Sequence, residues 1–148
     1  MKRRSHVAVL PIVVPVVDVF WGWLLSSHIK PWLIELLNRN PLEASQFIDN
    51  TIEPRLWISY VVVLAAQLSW VNLIVRRPRS TQSLQRLWWL GCLLITISSV
   101  LVHHDLVITA EPELLILVVQ LTDLILLYWL TTRLLTPEPL RQVIPGWW

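Results

Sequence analysis

Cysteine and glycine are nearly absent from this chain, with one cysteine (Cys92) and three glycines in 148 residues. A lone cysteine excludes an internal disulfide framework and every metal motif built on cysteine pairs, and Cys92 reads as a small core residue. Three scattered glycines exclude a Gly-rich phosphate loop and the GxxxG pattern of closely packed membrane helices. No nucleophile-base-acid constellation and no HExxH spacing occurs either, so an enzyme is not the expected class. Charge is scarce: 15% of residues are charged against 55% hydrophobic, with a mean hydropathy of +0.58, too little polar surface to cover a soluble domain of this size. The formal net charge of +2 is small, and no basic patch carries interleaved aromatics outside the apolar segments, which sets nucleic acid aside as a partner.

What the chain has instead is long apolar runs. Val7 to Ser27 is about the length a bilayer core requires, yet it carries Asp18 in its middle. A charge at that depth costs roughly 3 kcal/mol or more, so it is retained where a partner, a cavity or a proton justifies it. Lys2, Arg3 and Arg4 ahead of an apolar run also open a secretory signal. The run is too long for that, contains Asp18 and two prolines, and ends in Ser26, Ser27 and His28 rather than a small-x-small cleavage site. Pro11, Pro15, Asp18 and Gly22 recur at helical spacing, which predicts one face turned to other helices and a kink at Pro15.

Hydropathy falls after Lys30. Trp32, Leu33, Ile34, Leu36 and Leu37 against Glu35, Asn38 and Arg39 predict a short helix on the membrane surface, and Asn40, Pro41 and Glu43 read as cap, first helical residue and first-turn acid. Three further runs follow. The reading is an all-α integral membrane protein: a four-helix bundle with spans at about 7–28, 56–75, 87–103 and 114–133, an interfacial segment at 31–48 and a tail at 136–148. Basic residues gather at the N-terminus, in the second loop (Arg76, Arg77, Arg79, Arg86) and in the tail (Arg133, Arg141), which puts both termini in the cytoplasm.

Asp18, Gln67, Thr96 and Asp123 each fall near the midpoint of their own span, so an up-and-down bundle would place them in one layer. Three readings stand side by side. The layer is a proton or cation relay or a polar ligand cavity; or it is a hydrogen-bond clasp that fixes helix order; or an acid pairs with a basic residue of a partner chain. His28, His103 and His104 lie at the same ends of their spans, with Asp105, Glu111 and Glu113 nearby. If the first and third spans approach, His28 and His103 would ligate a haem, a chlorophyll-type pigment or a divalent metal. Interfacial histidines are common, and the spacing matches no metal motif.

Most of the ten tryptophans fall where interfacial belts are expected: Trp21, Trp23 and Trp57 on one side, Trp88, Trp89 and Trp129 on the other, with Trp70 nearer the bundle and Trp147 and Trp148 closing the tail. The leading expectation is an accessory, assembly or stabilising subunit of a larger membrane complex, embedded in the lipid bilayer and joined to other membrane subunits or to itself. The alternative is a small proton- or cation-coupled transporter, channel or small-ligand-binding protein using Asp18 and Asp123. A bacterial inner membrane or an internal energy-converting membrane suits the composition equally.

Overall fold

The computed structural model describes the backbone of residues 3–37, 39–76, 80–104 and 113–146, and side chains over 12–24, 27–37, 39–74, 80–104 and 114–146. The acidic loop of Asp105, Glu111 and Glu113, the basic side chains of Lys2, Arg3, Arg4, Arg76, Arg77 and Arg79, the Pro11 ring, and Trp147 and Trp148 lie outside that description. Among the described residues the structure is all helical. Helices α1 (Arg3–Leu36), α2 (Pro41–Phe47), α3 (Glu53–Arg76), α4 (Thr81–Val102), α5 (Glu113–Leu135) and α6 (Glu138–Arg141) follow in order, with a π-helical turn, Ile48–Ile52, joining α2 to α3.

Three stretches are long and apolar enough to cross a membrane: Pro41–Ile74, Thr81–Val102 and Leu114–Leu135. A fourth arises if the two limbs of α1, Ile12–Leu24 and Ser27–Leu36, count as one broken span. Large apolar side chains face outward all along these helices, among them Val16, Phe20, Val61, Leu93, Leu101 and Val118. Each would forfeit roughly 1.5–3 kcal/mol if water rather than hydrocarbon covered it. The chain is a membrane protein.

The bend in α1 is 41° and falls between Leu24 and Ser27. Three local causes coincide there. The Ser27 hydroxyl donates to the carbonyls of Trp23 and Leu24 at 3.0 Å, and His28 Nδ1 lies 3.0 Å from the Leu24 carbonyl, so side chains compete for backbone acceptors. Pro31 also removes the N–H that would have bonded the Ser27 carbonyl. Beyond the bend the chain is capped and packed rather than slack. Asn40 Oδ1 accepts from the Leu42 N–H at 3.1 Å with Pro41 in the first turn, and Lys30 pairs with Asp49. Leu33, Leu37, Ala44, Ile48, Ile52 and Ile116 form a buried cluster that ties this cap to α5.

α3 and α5 form the central pair, and α1 and α4 each pack on both of them. α4 starts six residues earlier than its apolar run, because Ser80 caps it by accepting from the Ser83 N–H at 3.3 Å. At the other end of the molecule from the cap, the tail folds back. Val143 and Ile144 are buried with Trp70, Leu84 and Trp88, and the Arg133 guanidinium donates to the Ile144 carbonyl at 3.3 Å.

Trp88, expected in an interfacial belt, is buried and donates its indole N–H to Thr132 Oγ1 at 2.9 Å; Trp70 does the same to Thr136 at 3.0 Å and Trp129 to the Pro145 carbonyl at 2.5 Å. Such bonds clasp the tail end of the molecule, because an indole N–H in hydrocarbon has no water to turn to.

Candidate functional site

Helical spacing puts Asp18, Trp21 and Gly22 on one face of α1, Tyr60 and Gln67 on one face of α3, and Ile116, Gln120 and Asp123 on one face of α5. These three faces meet. Gln67 Nε2 donates to Asp18 Oδ1 at 3.2 Å, with both side chains buried. One turn nearer the cap, Asp123 accepts two bonds, from Trp21 Nε1 to Oδ1 at 2.7 Å and from the Tyr60 hydroxyl to Oδ2 at 3.0 Å. The two acids therefore occupy successive layers, each held by neutral donors from other helices. α1 serves both, through Asp18 to α3 and through Trp21 to α5.

The expectation of a single four-residue layer needs correction at α4. Thr96 is half-buried and donates to the Cys92 carbonyl of its own helix at 2.9 Å. α4 supplies apolar packing instead, through Leu84, Trp88, Cys92 and Ile95. Trp21 and Tyr60 were not singled out from the sequence as partners of the acids. The signal available for them is slight: an aromatic with an N–H or O–H within one turn of a buried carboxylate's depth.

The histidines do not assemble. His28 is exposed and sits 2.9 Å from the Ser27 hydroxyl, while His103 is fully buried at the C-cap of α4, Nδ1 lying 2.9 Å from the Ser99 carbonyl. His104 is exposed and lies 3.2 Å from the Leu101 carbonyl. Joining His28 to His103 requires α1 against α4, whereas each of those helices packs chiefly on α3 and α5. Among the described residues no group of three or more His, Cys, Asp or Glu side chains is placed to hold a metal ion.

On the cap side of the Asp123 cluster lies a half-open cleft of about 80 Å³ between α1, the π turn, α3 and α5. Gly22 and Asp123 are at its deep end; Leu33, Ile52, Leu56 and Ile116 line its walls; Lys30 and Glu53 stand nearer the ends of their helices. Gln120 opens onto the same space. Its side chain is 5% exposed, and neither the amide nitrogen nor the amide oxygen has a hydrogen-bond partner. A buried amide with both ends unmet costs roughly 1–3 kcal/mol for each group, which a fold retains where something else supplies the bonds. Toward the tail, by contrast, the polar groups give way: Val14, Trp70 and Leu127 follow Asp18, Gln67 and Asp123 one turn on, all buried.

The arrangement can therefore receive a molecule from one end, bury its apolar part and offer it a carboxylate and an amide. It provides no continuous polar route to the other end among the described residues. No family model matches the chain, and neither curated proteins nor solved structures show a protein similar to it.

Proposed function

We propose that the chain crosses its membrane four times, with both ends on the cytoplasmic face, and that it is a small-ligand-binding membrane protein whose site is the cleft above Asp123. The topology reading rests on the uneven placement of arginine and lysine. They crowd the tail end, while Lys30, Arg39 and Arg55 at the cap end are interspersed with Glu35, Glu43, Asp49 and Glu53.

The observation that carries the binding reading is Gln120. An amide that is nineteen parts in twenty buried, unpartnered at both atoms and set one turn from Asp123 in a cleft matches the usual composition of a ligand site: mostly apolar walls with a few convergent polar groups. Asp18 and Gln67 each keep one unmet oxygen beside the bond they share, whereas Gln120 has both amide atoms unmet and lines the cleft. A relay through the membrane is supported less well, because buried apolar side chains follow the acids toward the tail.

The test is gentle purification of the wild-type protein and of Val119→Trp, followed by mass identification of the small molecules that travel with each. Val119 lines the cleft and makes no part of the acid cluster, so the indole fills the space and leaves the clasp intact. A stoichiometric companion lost in the variant is the expected outcome. Identical small-molecule content in the two preparations overturns the reading.

A further inference from the structure

The groups that face the cleft have a sign. Asp123 is bonded by two neutral donors and, among the described residues, by no cation, and Glu53 adds a second carboxyl to the same lining. Lys30, the one lysine of the lining, is committed to Asp49. Gln120 Oε1 is a further acceptor with nothing to accept from. Next to these stand the rings of Trp57 and Tyr60, 5.9 Å apart and tilted by 58°, both on the cleft wall. Each carboxylate oxygen of Asp123 has taken one bond and retains a lone pair for another.

A carboxyl bonded by neutral donors alone among the described residues, an unpaired amide oxygen and aromatic faces at the end of an apolar cleft are together complementary to an ammonium carried on a hydrocarbon body. The N–H groups donate to carboxylate and amide in charge-assisted bonds, and the ring faces attract the cation. A fatty acid or a phosphate-headed lipid would set like charge against Asp123 and Glu53. A neutral alcohol would meet Gln120 but leave the carboxylate charge unopposed. We infer that the cleft binds a lipophilic amine, its ammonium held between Asp123 and Gln120 and its hydrocarbon against Leu33, Ile52 and Ile116. This assignment rests on the ligand-binding reading above and adds the chemical class of the ligand.

The experiment uses the full chain in lipid nanodiscs at neutral pH and follows its thermal unfolding as N,N-dimethyldodecylamine or 1-dodecanol is added at matched mole fractions of lipid. Wild type is compared with Asp123→Asn, Gln120→Leu and Val119→Trp. In Asp123→Asn the carboxamide oxygen still accepts from Trp21, and the Tyr60 hydroxyl reverses to accept from the new amide, so the helices stay joined. Gln120→Leu removes an unpartnered amide and folds at least as well as wild type. The expected result is a saturable upward shift with the amine at lower concentration than with the alcohol. The concentration needed for the amine rises about tenfold or more in Asp123→Asn and rises in Gln120→Leu, and the saturable shift disappears in Val119→Trp. If amine and alcohol act alike, and neither Asp123→Asn nor Gln120→Leu separates them while Val119→Trp abolishes both shifts, the cleft is a site and the amine assignment is wrong. If Val119→Trp leaves both probes' effects unchanged, the site itself is wrong and the assignment falls with it.

Discussion

Asp18 and Gln67 show how a single residue pair decides the placement of a helix. In hydrocarbon an acid without a partner is costly, and the amide of Gln67 is the group that meets it, at 3.2 Å, across 49 residues of sequence. Asn at position 18 has the same shape and still offers an oxygen to Gln67, whereas Leu at position 67 removes the partner and leaves the acid stranded. Thermal unfolding in mild detergent, read by fluorescence-detected gel filtration, is therefore expected to show Asp18→Asn near wild type. Gln67→Leu is expected to lose about 1–3 kcal/mol of stability. Equal losses in the two variants would mean that the charge of Asp18, rather than its hydrogen bond, holds α1 in place. Asp18, Gln67 and Asp123 were legible from the sequence because each is polar in an apolar run. Trp21 and Tyr60 were not, because aromatic residues near span ends already have an interfacial explanation.

At the scale of helices, close approach is set by two glycines with opposite tolerance. A Cβ on Gly22 would lie 3.5 Å from the Trp57 ring and 3.6 Å from Tyr60, which is ordinary contact. A Cβ on Gly91 would fall on the hydroxyl and ring of Tyr128, a fully buried side chain stacked on Trp88 at 5.6 Å. Gly91→Ala is thus expected to push α4 from α5 and to lower the unfolding midpoint by the equivalent of about 1–3 kcal/mol, the usual cost of overpacking. Gly22→Ala should change it little, and the same unfolding measurement compares the two; an unperturbed Gly91→Ala would show that the α4–α5 contact yields more readily than its packing implies. The elements themselves were readable as apolar runs with caps, Asn40 and Pro41 most clearly. The bend at Leu24–Ser27 was not, since a serine, a histidine and Pro31 act jointly there while Pro15 offers the more familiar signal. The early start of α4 was hidden for a related reason: a capped polar turn has no hydropathy to announce it.

For the molecule as a whole, the two ends differ in construction, and the difference bears on topology and function together. The cap end carries the short α2 and the π turn beside a cleft between α1, α3 and α5, while the tail end is closed by indole N–H bonds and by the returning chain at Val143 and Ile144. Because Cys92 is the chain's one cysteine and is buried, Cys92→Ala offers a silent background for topology mapping. Introduced thiols at the exposed positions 43 and 80, by Glu43→Cys and Ser80→Cys, should then label from opposite sides of the membrane, position 80 from the cytoplasm, when an impermeant maleimide is applied to sealed vesicles. Labelling of both from one side would refute the four-span topology. The apolar outer faces that motivate an accessory-subunit role do not discriminate at this scale, because lipid covers such faces as well as a partner helix does.

Composition and apolar run length determined by themselves that this is a membrane protein of helices, because backbone polar groups in hydrocarbon must be satisfied within a segment, and a helix does so locally. The depth of each polar residue followed from its place in its run. Which of them meet did not, because contact depends on the rotation of each helix about its axis and on which helices are neighbours. Trp21 and Asp123, 102 residues apart, become partners only once α1 and α5 have packed, and Thr96 is left to its own helix by the same packing. The cleft with its unmet Gln120 belongs wholly to the tertiary structure: it is the space that three helices and a π turn leave between them, and no single segment encodes it.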